Sequence, residues 1–287
     1  MQLKMSLYKF INIAVLLITA LIFLQGKNFR EVFSSLGNPA YILLILVTVL
    51  VVHGIKSCRL FLALYGRDLR FREFLKIYCK VTPVSVVLPF KLGDIFRMYC
   101  YGHALGNYLR GIVVILLDRF MDTAALATII LFFSAIFDGG IGIIFYLLML
   151  FLLFILLAYY LFPNIYRFWN HYFLVVAATP RRLWTLNVLS KANAVYQDIH
   201  SVVEGRWAML YFMSLMAWTV ELGSLFVVCR NFNLQPIRTA FNAYLSSAIT
   251  GVHCIELEIF IVVSIIILAA GYGGIKFLHL IGRQVKA

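Results

Sequence analysis

Charge is what this sequence has least of. Of its 287 residues only 13% are Asp, Glu, Lys or Arg, and 63% are hydrophobic; an ordinary soluble domain has about 25% charged residues. A chain of this size folded in water could not hide so much apolar surface, so lipid must solvate most of it. The shortage is concentrated. Residues 32–55 and 139–166 hold no charged side chain, and each run exceeds the ~20 residues that cross a hydrocarbon core. Backbone polar groups in lipid need internal partners, which leaves helices or closed barrels. A barrel requires ~10-residue segments of alternating polarity. The stretch 145–162, FYLLMLFLLFILLAYYLF, is apolar without alternation, so the fold class is all-α.

Other absences narrow the chemistry. The cysteines, Cys58, Cys79, Cys100, Cys229 and Cys254, show neither a CxxC pair nor Cys/His metal spacing. His253-Cys254 is the one close pair, and two residues do not make a site, so no metal and no cofactor are expected. There is no Walker A pattern to drive work with a nucleotide. There is no D-x-D and no acid-rich loop of the kind a lipid-linked sugar transferase needs, and the chain is not expected to be an enzyme. The apolar run 10–24 is followed by Leu-Gln-Gly-Lys rather than a small-x-small cleavage site, so it reads as a retained first helix. The formal net charge of +13 fits cytoplasmic loops and anionic headgroups better than nucleic acid.

Six segments are long enough to span: about 8–25, 40–62, 110–136, 141–162, 207–229 and 255–272. Shorter, more polar stretches near 71–88, 94–108 and 237–250 suit two to three re-entrant or broken helices that line a protein-buried cavity. Basic residues concentrate in 1–9, 56–80, 163–206 and 273–287, which places both termini in the cytoplasm by the positive-inside rule. The segment 163–206 carries Trp169, Trp184 and Arg181-Arg182, a composition for an interfacial amphipathic segment. The whole chain, 1–287, reads as one transmembrane domain.

The informative residues are those that do not belong in lipid, because an intramembrane charge marks function or a buried pair. Lys91-Leu-Gly-Asp94-Ile-Phe-Arg97 is the densest group, followed by Asp118-Arg119-Phe-Met-Asp122. Asp94 and Arg97, three apart, share a helix face. Pro89 and Gly93 predict a helix break at 89–93. Two readings stay open. A broken helix presents Lys91, Arg97 and Arg119 to an anionic phosphate; or Asp94–Arg97 and Asp118–Arg119–Asp122 form a charge lattice that locks helices together. Later, Glu221 sits in a spanning segment, and a connection with Pro236, a semi-polar stretch 239–251 and then Glu256 and Glu258 follow. That order parallels the first half and suggests a weak internal repeat, 40–122 and 207–272. Glu221 and Glu256 join the cavity's charge network.

Leu88-Pro-Phe-Lys-Leu-Gly-Asp-Ile-Phe-Arg97 and Leu116-Leu-Asp-Arg-Phe-Met-Asp122 resemble the P-x-R-x-G-E-x-x-R … E-R-x-x-D signature. That signature is found in the transmembrane, flippase-like domain of lysylphosphatidylglycerol synthases and its stand-alone relatives. Trp218-Thr-Val-Glu221 fits the same family's second half. Lys91 replaces the usual Arg, and Asp94 and Asp118 the usual Glu. The resemblance implies lipid handling in the cytoplasmic membrane of a bacterium or archaeon, with no segment resembling the aminoacyl-transferase domain before Ala287. The expected activity is flippase-like movement between leaflets of a phosphate-bearing lipid, an aminoacyl phospholipid or a polyprenyl-phosphate-linked sugar. The competing readings are a non-catalytic partner that presents lipid to a separate synthase or glycosyltransferase, and a membrane transferase. Membrane lipids are the expected partners, with such a synthase or a second copy of the chain as the protein partners in view.

Overall fold

A computed structural model describes residues 2–26, 38–64, 69–88, 92–137, 143–175, 180–232, 236–250 and 254–284. Among them are ten helices: α1 (Gln2–Gly26), α2 (Pro39–Leu64), α3 (Phe71–Val87), α4 (Leu92–Ala104), α5 (Tyr108–Phe137), α6 (Ile143–Val175), α7 (Pro180–Val203), α8 (Trp207–Phe232), α9 (Ile237–Thr250) and α10 (Ile255–Gln284). Four contain stretches long and apolar enough to cross a membrane: Pro39–Leu64, Phe145–Val175, Trp207–Arg230 and Ile255–Phe277. The apolar part of α1, Tyr8–Leu24, is shorter. At 30 residues α5 has the length to span, but Asp118, Arg119 and Asp122 interrupt its apolar run. The result is a polytopic helical membrane bundle with short helices α3, α4 and α9 where broken elements were expected.

Local chemistry sets the ends of these helices. Asn38 accepts the Ala40 N–H at 3.0 Å and Pro39 occupies the first helical position, where its missing N–H costs nothing. The α4–α5 turn uses Gly106 at φ 65°, a left-handed conformation that favours glycine. Asn107 Oδ1 then caps α5 by accepting from Leu109 N at 3.0 Å and Arg110 N at 3.4 Å.

Antiparallel packing of α2 on α8 forms the centre. Tyr41, Ile45 and Val49 meet Val228, Ile259 and Val262 at one end, while Arg59 meets Ser214 near the other. A second core gathers Leu60 and Leu64 of α2, Phe74, Tyr78, Val81 and Val84 of α3, Tyr101 of α4 and Val114 and Ile115 of α5. Glycines allow the helices carrying the charges to approach at backbone distance. A Cβ on Gly111 would overlap the Gly102 backbone and the Met98 carbonyl, and one on Gly93 would overlap Ser85. The α4–α5 contact therefore lays Asp94 and Arg97 alongside Asp118 and Arg119.

The expected span 40–62 is found as α2, which continues through Lys56 and Arg59 to Leu64. One expected boundary shifts: the segment 163–206 is not one loop. Helix α6 runs through Pro163 to Val175 and α7 follows. Its lipid-facing side, with Leu150, Phe154 and Tyr160 exposed, needs no protein partner within lipid.

Close glycine packing predicts a graded effect of added methyl groups. Gly111→Ala should destabilise by about 1–3 kcal/mol through overpacking. Gly273→Ala, where nothing lies near the added atom, should be neutral or mildly stabilising. Thermal unfolding of the detergent-solubilised protein, comparing the two variants with wild type, checks this.

Candidate functional site

Six charged side chains from α2, α4 and α5 form one continuous chain of ion pairs. Arg119 donates from Nε at 3.0 Å and from Nη2 at 2.5 Å to Asp94 Oδ1. Arg97 Nη1 lies 3.6 Å from the same oxygen, and its Nη2 donates to Asp118 Oδ2 at 3.3 Å. The other oxygen of Asp118 accepts from Arg59, from Nε at 3.0 Å and Nη2 at 2.5 Å. Arg59 Nη1 donates to Asp122 Oδ1 at 2.7 Å and to Ser214 Oγ of α8 at 2.5 Å. The order is Arg119–Asp94–Arg97–Asp118–Arg59–Asp122, and its formal charges cancel.

Geometry explains the partners. Asp118 and Asp122, four apart on α5, face α2, whereas Arg119 is turned by about 100° and faces α4. The expected Asp94–Arg97 pair is present. Asp118, Arg119 and Asp122 make their ion pairs across helices rather than with one another: Arg119 pairs with Asp94, and the two aspartates share Arg59. Arg59, Arg97 and Asp118 are buried, and Arg119 is more than a third exposed. Arg97 Nε, also buried, has no hydrogen-bond partner. Beside Arg59 and Asp118, between Leu117, Met121 and Leu210, the cavity volume is ≈ 10 Å³, the lower limit for one water.

A second polar site adjoins the first through Lys56, one turn from Arg59 on α2. Lys56 Nζ lies 3.5 Å from Glu221 Oε2 and 5.5 Å from the centroid of the Trp218 ring. Tyr244 of α9 donates to Glu221 Oε1 at 2.6 Å. Glu221 and Glu256, which the sequence places far apart, line one cleft with Tyr41, Thr48 and Ser224. From the level of Tyr41 to that of Arg59 is about 27 Å along α2 at ~1.5 Å per residue, so the two sites occupy different depths. Gly93 is the second residue of α4, beside Asp94; Pro89 and Lys91 lie outside the described residues. Arg59, Lys56, Ser214 and Tyr244 were not singled out in the sequence. For Arg59 and Lys56 a signal existed: apolar residues on both sides, as for a charge inside a helix.

Long apolar helices around a buried, charge-balanced core define a polytopic membrane domain. The model of the family described as the lysylphosphatidylglycerol synthase TM region matches residues 7–252, and the chain belongs to that family. No curated protein and no solved structure matches it. Among the described residues no group of three or more His, Cys, Asp or Glu side chains is placed to hold a metal.

Removing one member of a buried ion pair strands the other's charge. Arg59→Met leaves Asp122 without its guanidinium partner and Asp118 with Arg97 alone, and should destabilise by about 3–5 kcal/mol. Asp118→Asn added to Arg59→Met should cost less than the sum of the two single changes by about 0.5–3 kcal/mol. Unfolding in detergent across the double-mutant cycle measures both.

Proposed function

We propose that this membrane domain is a flippase-like transporter that moves a phosphate-bearing lipid between leaflets. The lipid is an aminoacyl phospholipid or a polyprenyl-phosphate-linked sugar. One observation carries the reading: three guanidinium groups inside a lipid-embedded bundle have aspartates as their ion-pair partners. A lipid phosphate presents the same kind of oxygen acceptors and can take the place of Asp94 against Arg119 and Arg97. Arg119 is the accessible end of the ion-pair chain, Arg97 keeps one unused donor, and Lys91 precedes Asp94 by three residues in the sequence. Asp118 and Asp122 balance the charge of the arginines.

The order of a long helix, a short helix, a break and an acidic residue occurs in α2–α3–α4 with Asp94 and again in α8–α9–α10 with Glu256. That supports reading 40–122 and 207–272 as a repeat around the antiparallel α2–α8 pair, as transporters build central sites. With both termini cytoplasmic, the ion-pair chain lies in the cytoplasmic half and the Glu221–Glu256 cleft beyond it. Headgroup entry then requires Asp94 to let go, because the space beside Arg59 holds one water at most.

That closure also favours a second reading, a non-transporting partner that presents lipid to a separate synthase or glycosyltransferase and uses the ion pairs as a lock. Vesicles reconstituted with the protein and fluorescently labelled phosphatidylglycerol separate the two. Transport predicts bleaching of inner-leaflet label by an external reductant well above empty vesicles. It also predicts at least a tenfold slower rate in an Asp94→Asn, Arg97→Gln double variant that still folds. No movement above empty vesicles for any anionic lipid tried would sink transport, and unchanged lipid output in cells carrying the double variant would favour presentation.

A further inference from the structure

Three of the oxygens lining the cleft between α2, α8, α9 and α10 have already committed their protons. Thr48 Oγ1 donates to the Leu44 carbonyl at 2.8 Å, Ser224 Oγ to the Glu221 carbonyl at 2.7 Å, and Tyr244 OH to Glu221 Oε1 at 2.6 Å. A hydroxyl has one hydrogen and two lone pairs, so what these groups still offer is acceptor capacity. Glu221 and Glu256 add carboxylate oxygens, which only accept when ionised. Among the described residues no Lys or Arg lines the cleft; Lys56 reaches Glu221 from its rim. Such a surface repels a phosphate and attracts a cation.

Charge and size narrow the ligand. The ion-pair chain is neutral, but here two carboxylates face one ammonium, leaving one negative charge in excess. Glu256 accepts from Cys254 Sγ at 3.0 Å, and among the described residues no basic side chain pairs with it. An uncompensated carboxylate inside a membrane is costly. One monovalent cation cancels it, whereas a divalent ion overshoots. The cleft's cavity volume of ≈ 30 Å³ is about twice the ~10–15 Å³ that one water needs. That admits a small ion with a water and excludes a lipid headgroup. Oxygen-only ligation suits a hard cation.

We propose that this cleft binds a small monovalent metal cation of the sodium type. Glu256 and Glu221 are its charged ligands, and Thr48, Ser224 and Tyr244 its neutral oxygen ligands. Resting on the transport reading, the site also supplies a coupling ion. A cation at Glu221 weakens that carboxylate's hold on Lys56, which acts electrostatically on Asp122 as well. Occupancy of the cleft is thereby felt, through Lys56, by the ion-pair chain, whose Arg59 lies one helical turn from that lysine. Protons compete for the same carboxylates. The groups facing them are Lys56 and Tyr41 on α2, Cys229 on α8, Tyr244 on α9 and Cys254 before α10.

The full chain in phosphatidylcholine nanodiscs tests the site by thermal unfolding in sodium, potassium or choline chloride at equal ionic strength and mildly alkaline pH. Sodium or potassium should raise Tm saturably over choline, by roughly 5–10 °C at a hundredfold excess over Kd. Thr48→Val should reduce the rise, Glu256→Gln should abolish it, and Asp94→Asn should keep it. Equal Tm in the three salts overturns the proposal, as does a rise that survives in Glu256→Gln. So does a dependence on pH alone, which would assign the missing charge to a proton. If Glu256→Gln does not fold, equilibrium binding of radioactive sodium to wild type decides, with one competable site per chain expected and none overturning. Failure of lipid movement with the sodium effect intact removes transport and leaves the site. Lipid movement indifferent to sodium in a protein that binds it removes the coupling role.

Discussion

Asp118 is shared between two guanidinium groups, and the arrangement of the bundle depends on that sharing. One carboxylate oxygen receives Arg59 from α2 and the other receives Arg97 from α4. Apart from the Asp94–Arg97 contact within α4, each charge is therefore compensated from a different helix, so moving any one of the three alone breaks ion pairs. In water such a contact would be worth little, since solvent replaces either partner. Inside lipid the alternative is an unpaired charge, and the ion pairs become a constraint on packing rather than a small bonus.

The same constraint separates the two polar sites. Around Arg59 the aspartates occupy the guanidinium donors, and only the margins at Arg119 and Arg97 Nε offer anything to an anion. Around Glu221 and Glu256 the hydroxyl protons of Thr48, Ser224 and Tyr244 are turned to carbonyls and carboxylate, so these groups present acceptors. Lys56 stands between them, one turn from Arg59 and in contact with Glu221. A membrane domain with a donor-rich site at one depth and an acceptor-rich site at another has the electrostatic layout for handling an anionic group and a cation together.

Small residues make this layout affordable. Asp94 and Arg97 reach α5 because Gly102 and Gly111 remove the side chains that would hold α4 away. The short helices α3, α4 and α9 add polar turns inside the bundle, where backbone groups find protein partners instead of lipid. The family to which the chain belongs is defined over 7–252, a range that contains all of the ion-pair chain and Glu221, and ends before Glu256.

The sequence by itself determined the solvent, the helical class and the suspicion that falls on Asp94, Arg97, Asp118, Arg119, Asp122, Glu221 and Glu256. Each follows from composition or from local spacing: apolar runs longer than a bilayer is thick, and charges where lipid should be. It also found the Asp94–Arg97 pair, because residues three apart on a helix must share a face. Only the tertiary structure decided that Arg59 is the hub, that Arg119 turns away from its neighbours toward Asp94, and that Glu221 and Glu256 share a cleft. The reason is physical. Which charges meet across helices depends on how close two backbones come and at what register, and no spacing along the chain encodes a distance between α2 and α5.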